Sequence, residues 1–448
     1  GALLACALAV AALSGGWIFY QMNVVDEYRT QDDVEAQLAA YEKKYLKYEN
    51  LPQPTATDMK LAVDLYPEET RMEARGTIAF VNNTGKPLEQ LHLRIADSDA
   101  EIRSIEVEGA TLDMDDEENK YRIYRFDQPL APGATGTFTF ATRRWQQGMR
   151  ASGDDTRLVR NGTFLSNSEF VPQIGMSRSG LLSDRATRRK YDLPAELRQA
   201  KLEDESARNR NYVGNSPWVT SDITVSTVAG QTPVAPGDRV SDEVRGDRRV
   251  ARFVSKQPIL AFFSIQSADY EVTRRVHNGT TLEIYHHPNH DFNVERMLDA
   301  MEVSLDYYEA NFGPYQFDYA RIIEFPGYAS FAQAFAGTIP YSEDMGFIAD
   351  NGDAESIDYV TYVTAHELGH QYWAHQLISS DQQGGTMLVE TMAQYSALMV
   401  MKHLYGEDNI RRFLKYELDN YLAARGSEAI EELPLERVED QGYIHYRK

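Results

Sequence analysis

The segment YVTAHELGHQYWAH, residues 362 to 375, places two histidines four apart with a glutamate directly after the first. On a helix, positions i and i+4 share one face about one turn apart. His366 and His370 therefore offer two imidazole nitrogens to a single tetrahedral zinc ion. Glu367 then stands beside the metal rather than on it, where a carboxylate takes a proton from a zinc-bound water whose pKa has fallen to about 7. The pattern predicts metal-assisted hydrolysis rather than metal storage.

A third ligand must come from elsewhere in the chain. The first acids after His370 are Asp381, in the polar loop SSDQQGG, and Glu390, in TMLVETMAQYSALMVMKHLYG. The second stretch is apolar-periodic and reads as a helix ending at Gly406. A carboxylate inside such a helix is costly to bury unless it is paired or binds a metal, which favours Glu390. Three protein ligands leave a fourth position open to water, the catalytic form of a zinc site, with one Zn2+ per chain.

With these residues the chain resembles the gluzincin metallopeptidases, and the aminopeptidase N family in particular. YYEANFGPYQFDYARIIEFPGYASF (307–331) resembles that family's strand entry into the active site, and GTIPYSE (337–343) its edge strand beside the substrate. YIHYRK (443–448) resembles its tyrosine block, which implies that Tyr446 hydrogen-bonds the oxyanion formed during hydrolysis. The resemblance extends over residues 55 to 448. It implies an antiparallel, saddle-like β domain, a thermolysin-like catalytic domain, a zinc cofactor and a peptide substrate.

Three departures accompany it. Nineteen residues separate His370 from Glu390, one more than the aminopeptidase N pattern and equal to the thermolysin-like spacing. Val389 and Thr391 replace the asparagine and glycine that flank the family's glutamate. The family's Gly-x-Met-Glu-Asn segment, whose glutamate grips the substrate's free amine, corresponds to FAQAFAG (331–337), which contains no acid. Substrate contacts are therefore expected from Gln333 and Gly337 in this segment, with Glu169 of FLSNSEFVPQIG supplying a charge from the other domain.

The elements around the motif can be read more coarsely. The 448 residues exceed one ordinary core, and a net charge of −23 with no basic stripe argues against nucleic-acid binding. GALLACALAVAALSGGWIFYQMNVV (1–25) carries no charge and is long enough to span a bilayer, so it reads as the last membrane helix of a longer protein with an upstream membrane domain. The net acidic flank after it points to the extracytoplasmic side, so the catalytic part is expected to face the periplasm or the cell exterior, with a bacterial inner membrane as the expected location. The only cysteine, Cys6, lies inside the span and forms no disulfide framework.

Residues 26–54 read as a charged helical stalk or linker, with a helix packed on the domain as the alternative. Residues 55–268 alternate as antiparallel strands, interrupted at 174–215 by a basic and polar excursion over the surface. From 269 to 448 a hairpin at Asn278-Gly279, a helical stripe of Val294, Met297, Leu298, Met301 and Leu305, and the zinc motif give a catalytic α+β domain that is incomplete at its C-terminal end. The fold class is thus α+β and multidomain. His286, His287 and His290 lack helical spacing and a nearby acid, and are read as not binding metal; His375 falls off the ligand face. Function reads as a membrane-tethered zinc peptidase of aminopeptidase type. The alternatives are an endopeptidase, or a peptide-recognition ectodomain of a membrane transporter such as a bacterial ABC-type permease.

Overall fold

The computed structural model describes all residues except 27, 150–156, 179, 196, 215, 353–355, 428–431 and 440–448, and the side chains of 426 and 427. Helix α1 (Ala2–Tyr20) continues through a wider last turn to Val25 and is exposed along its apolar length. Its length and composition suit either a membrane span or a signal sequence.

Helix α2 (Gln31–Tyr45) starts at a capping box, in which the Thr30 and Asp33 side chains each accept from the other's backbone N–H. It docks on the β domain, so the stalk expected at 26–54 is corrected to a packed helix. Ala39, Tyr41, Glu42 and Tyr45 face inwards. The Tyr45 ring stacks on Tyr121 with centroids 4.1 Å apart, and the Arg94 guanidinium lies 3.7 Å from the Tyr41 ring centre. Glu42 accepts two hydrogen bonds, at 2.8 and 2.9 Å, from Arg188 in α3 (Arg185–Lys190). Arg188 also donates to the Leu182 and Pro194 carbonyls, which satisfies a buried guanidinium.

The β domain is built on an eight-stranded sheet whose central strands are Trp218–Val228, Thr55–Tyr66, Arg71–Val81 and Thr135–Trp145. Alternating apolar residues such as Leu61, Val63, Leu65, Ile223 and Val225 fill its core. The strands pair antiparallel except Thr55–Tyr66 with Trp218–Val228, which run parallel. This departs from a purely antiparallel domain, because adjacent parallel strands need a long crossover and here roughly 150 residues intervene, as only a long-range pairing allows. The segment around 198–212 is likewise not a free surface excursion. Gln199 N–H donates to the Glu439 carbonyl at 2.7 Å, and Gln382 donates to the Lys201 and Asp204 carbonyls, so the segment straps the two domains together.

The second domain carries a four-stranded sheet in the order Glu271–His277, Thr280–His286, Tyr319–Phe325, Thr338–Ser342. The first pair is a hairpin, with Asn278 and Gly279 both at positive φ; the later neighbours are parallel. Helix α4 (Val294–Phe312) buries the stripe read from sequence, against α5 (Tyr359–Gly369) and the sheet. Helix α6 (Met392–Ser427) follows a wider turn at Met387–Thr391 and breaks at Gly406, whose φ of 79° no helix interior adopts.

The Glu42–Arg188 pair sets an expectation. Removing one partner of a buried pair strands the other charge, at a cost of about 3–5 kcal/mol. Glu42→Ala should lower stability in urea by about that amount and release α2, read as faster tryptic cleavage at Lys43 and Lys44. Unchanged stability and cleavage would mean that α2 is not held by this contact.

Candidate active site

Helix α5 is started by Asp358, whose side chain accepts from the Thr361 N–H, and it ends at Gly369, so His366 lies in its last turn and His370 caps it. The two imidazoles meet with Nε2 atoms 3.0 Å apart and rings at right angles. Glu390, in the turn before α6, brings Oε2 to 3.5 Å from His370 Nε2 and 3.8 Å from His366 Nε2. Ligands about 2.0–2.1 Å from a tetrahedral zinc stand roughly 3.3 Å apart, so the donor set fits the size and chemistry of that ion. His370 Nδ1 faces the Trp373 carbonyl at 3.4 Å, and a proton on Nδ1 leaves Nε2 as the donor atom. Asp381 lies apart from this group: it accepts from Gln199 at 2.9 Å.

Glu367 is buried behind the pair. Burial pushes its carboxyl up to about 7, against the pull of His370 and an N–H donated by Ala334. For His370, burial opposes the charged form, but the Glu390 and Glu367 carboxylates outweigh it and raise the imidazole to about 9. Two imidazoles and two carboxylates gathered this closely are a donor set that suits a bound cation.

Residues 331–337 lie beside the edge strand Thr338–Ser342 through bridges Ala332 to Tyr341 and Phe335 to Thr338. Three polar side chains hold this segment. Glu367 accepts the Ala334 N–H, Gln371 accepts the Gly337 N–H at 2.9 Å and donates to the Phe335 carbonyl at 3.0 Å, and His375 Nε2 faces the Ala334 carbonyl at 3.2 Å. Gln371 was not singled out from sequence. Its signal was present, because 367, 371 and 375 follow each other at helical four-residue steps in an otherwise apolar stretch.

The remaining predicted residues are distributed as follows. Gln333 sits in the segment, its N–H bonded to Pro340 and its side chain to the Ala334 carbonyl. Gly337 takes φ of 64°, and a Cβ there would fall 2.4 Å from the Tyr319 ring, so its role in the fold is to admit that ring. Glu169 is in the β domain, where its carboxylate accepts the Ser166 N–H and pairs with Arg157. Tyr446 lies outside the described residues. Tyr212, which sequence reasoning missed, comes from the strap: it is half-buried, its hydroxyl is 3.2 Å from Thr386 Oγ1, and desolvation with the nearby Glu390 charge pushes it up to about 12.

Residues 294–442 match the model of the Peptidase family M1 domain. The chain is similar in fold to a point mutant of an M1 zinc metallopeptidase from Deinococcus radiodurans, with a TM-score of 0.55 and 16% identity over 86% of this chain and 77% of that one. The same mutant bound to a Tyr-Ser-Ala substrate gives a TM-score of 0.53, with 16% identity and the same coverage. A two-domain M1 zinc metallopeptidase mutant bound to L-tryptophan gives 0.53 at 16% identity, again over 86% and 77%. The chain carries an aminopeptidase-like zinc peptidase domain, a hydrolase with a single catalytic Zn2+.

Gln371→Leu removes the partners of two backbone groups while keeping side-chain size. Leaving these unpaired costs about 1–3 kcal/mol each. The variant should keep its zinc content and show a raised KM for peptides as the 331–337 segment loosens; loss of zinc instead would place Gln371 in support of the ligands.

Proposed function

We propose that this chain is a membrane-tethered zinc peptidase that hydrolyses peptide bonds outside the cytoplasm. In this reading residues 1–25 span the membrane, 55–268 form the β domain and 269–448 the catalytic domain, in a bacterial inner-membrane protein with a further membrane domain upstream. The observation that carries it is the convergence of His366 Nε2, His370 Nε2 and Glu390 Oε2 beside a buried Glu367.

His366, His370 and Glu390 would hold the ion. When bound, zinc supplies a Lewis acid that polarises a carbonyl and lowers the pKa of water to about 7. Glu367, oriented by the Ala334 N–H, accepts a proton from the attacking water and returns it to the leaving amine. The 331–337 segment, tied by Gln371 and His375, is held as a rigid wall that would flank the bound peptide. Tyr446, by the family resemblance, donates to the oxyanion.

One observation favours a second reading. Ala334 stands in a segment with no acidic side chain, so the substrate's free amine has no anchor there, which suits an endopeptidase or a peptide-recognition ectodomain of a transporter.

The test is Glu367→Gln beside the parent chain. The variant should retain one zinc and lose hydrolysis by at least a hundredfold, consistent with a lost general base. In the parent, kcat/KM should fall as pH drops through the ionisation of Glu367, because the protonated carboxyl cannot take a proton from water; a bound cation favours the carboxylate and sets that fall below the value of about 7 that burial gives the metal-free pocket. A panel of free-amine and blocked peptides reads the end preference. Zinc without cleavage in either protein, with peptides still bound, would replace the enzyme by the recognition module.

A further inference from the structure

Of the three histidines set aside in the sequence, His290 has acids beside it after all. These acids are distant in the chain and arrive through the sheet. His290 follows the strand Thr280–His286, Glu324 is in Tyr319–Phe325, and Glu343 directly follows Thr338–Ser342. One donor atom from each lies within 4.8 Å of the others. His290 Nδ1 stands 2.5 Å from Glu324 Oε1 and 3.9 Å from Glu343 Oε2.

Each carboxylate is pre-aimed by its second oxygen. Glu324 Oε2 accepts the His287 N–H at 2.5 Å, and Glu343 Oε1 accepts the Gly327 N–H at 2.7 Å. The Oε1 of the first and the Oε2 of the second are thereby turned towards His290. The Glu324 side chain has no exposed surface, yet among the described residues no arginine or lysine pairs with either carboxylate. A buried carboxylate without a permanent cation is expensive. A singly charged imidazole does not neutralise two acids, and burial correspondingly raises Glu324. Next to the cluster, the His287 ring lies 5.9 Å from that of His290, and its buried Nε2 has no hydrogen-bond partner among the described residues.

We propose that His290, Glu324 and Glu343 form a second divalent-cation site, apart from the His366 cluster. One imidazole nitrogen and two carboxylates suit Zn2+ or Mn2+, with water completing the shell. Binding requires a free imidazole lone pair and ionised carboxylates, so it competes with acid. The ion joins the turn before α4, the strand 319–325 and the end of the edge strand. Through the Gly327 N–H on Glu343 it fixes residues 326–331, which lead into the segment beside the active site. Its role is structural.

The experiment measures metal bound by the detergent-solubilised full chain after dialysis against Zn2+ or Mn2+, with thermal melts of the same samples. The parent should hold two ions, His366→Ala one, His290→Ala one, and the double variant none. Mn2+ should raise the Tm of His366→Ala and leave the double variant unmoved. If His290→Ala fails to fold by circular dichroism, Glu343→Gln, on the more exposed carboxylate, should give the same loss of one ion. A parent with a single ion that His366→Ala abolishes would overturn the second site and leave the peptidase reading standing. Two ions retained in His290→Ala and Glu343→Gln would overturn it as well. Loss of the hydrolytic ion alone in His366→Ala, with the other retained, supports it whether or not peptides are cleaved.

Discussion

The geometry of the candidate site depends on how closely α5 and α6 pass. At Gly369, between the two histidines, a Cβ would lie 3.2 Å from both the Cα and the carbonyl oxygen of Ala393. Even a methyl group there presses on backbone, which cannot move aside as a flexible side chain can. Ala393 is three residues beyond Glu390, so this crossing decides how near the carboxylate comes to the imidazoles. Larger residues hold the helices in register on either side. Trp373 donates to Ser396 at 2.9 Å, Tyr362 packs edge-on against Phe413, and Tyr308 donates to the Ala365 carbonyl at 2.7 Å.

The substrate side of the cleft is braced from the β domain. Arg321, buried in the strand next to the edge strand, pairs with Glu283 at 2.7 Å and donates to the Ala235 and Gly237 carbonyls of the other domain. Tyr319, two residues before it, accepts the Gly237 N–H at 2.7 Å and fills the space that Gly337 leaves open. One buried guanidinium thus fixes the domain interface, and the Tyr319 ring beside it seats Gly337 at the end of the 331–337 segment. The strap at 198–212 does the same for the Glu390 side, through Tyr212 on Thr386 and the glutamines at 382 and 383. The first domain therefore shapes the active site without contributing to the zinc motif.

What could be read from the sequence was local. The helical stripe from Val294 to Leu305, the Asn278-Gly279 turn and the i, i+4 histidines each express a short period that side-chain chemistry reveals directly. What escaped reading was pairing at long range. The docking of α2 depends on an arginine 146 positions from Glu42, and the parallel pairing of Thr55–Tyr66 joins segments about 150 residues apart. Both histidine clusters illustrate the difference. His366 and His370 announce themselves by spacing on one helix, whereas His290 meets Glu324 and Glu343 only after the strands are laid side by side. Gly337 reads as a substrate contact by resemblance, while the packing of Tyr319 supplies a reason that no local pattern contains.

The partners of the buried acids separate structural pairs from cation seats. Six glutamates are buried among the described residues: 42, 169, 283, 324, 367 and 439. Four of them meet guanidinium or ammonium groups, from Arg188, Arg157, Arg321, and Arg198 with Lys201. A guanidinium keeps its charge at all accessible pH values and has no lone pair to give, so such a pair is closed to metals. Glu324 and Glu367 are different, because the basic groups beside them are imidazoles, His290 and His370. An imidazole can lose its proton and become a donor towards a metal, and its departing charge leaves the carboxylates needing another cation. The same physical choice, histidine in place of arginine beside a buried glutamate, marks the zinc motif and the cluster at His290. It is absent from the four acids whose task is to hold helices, strands and domains together.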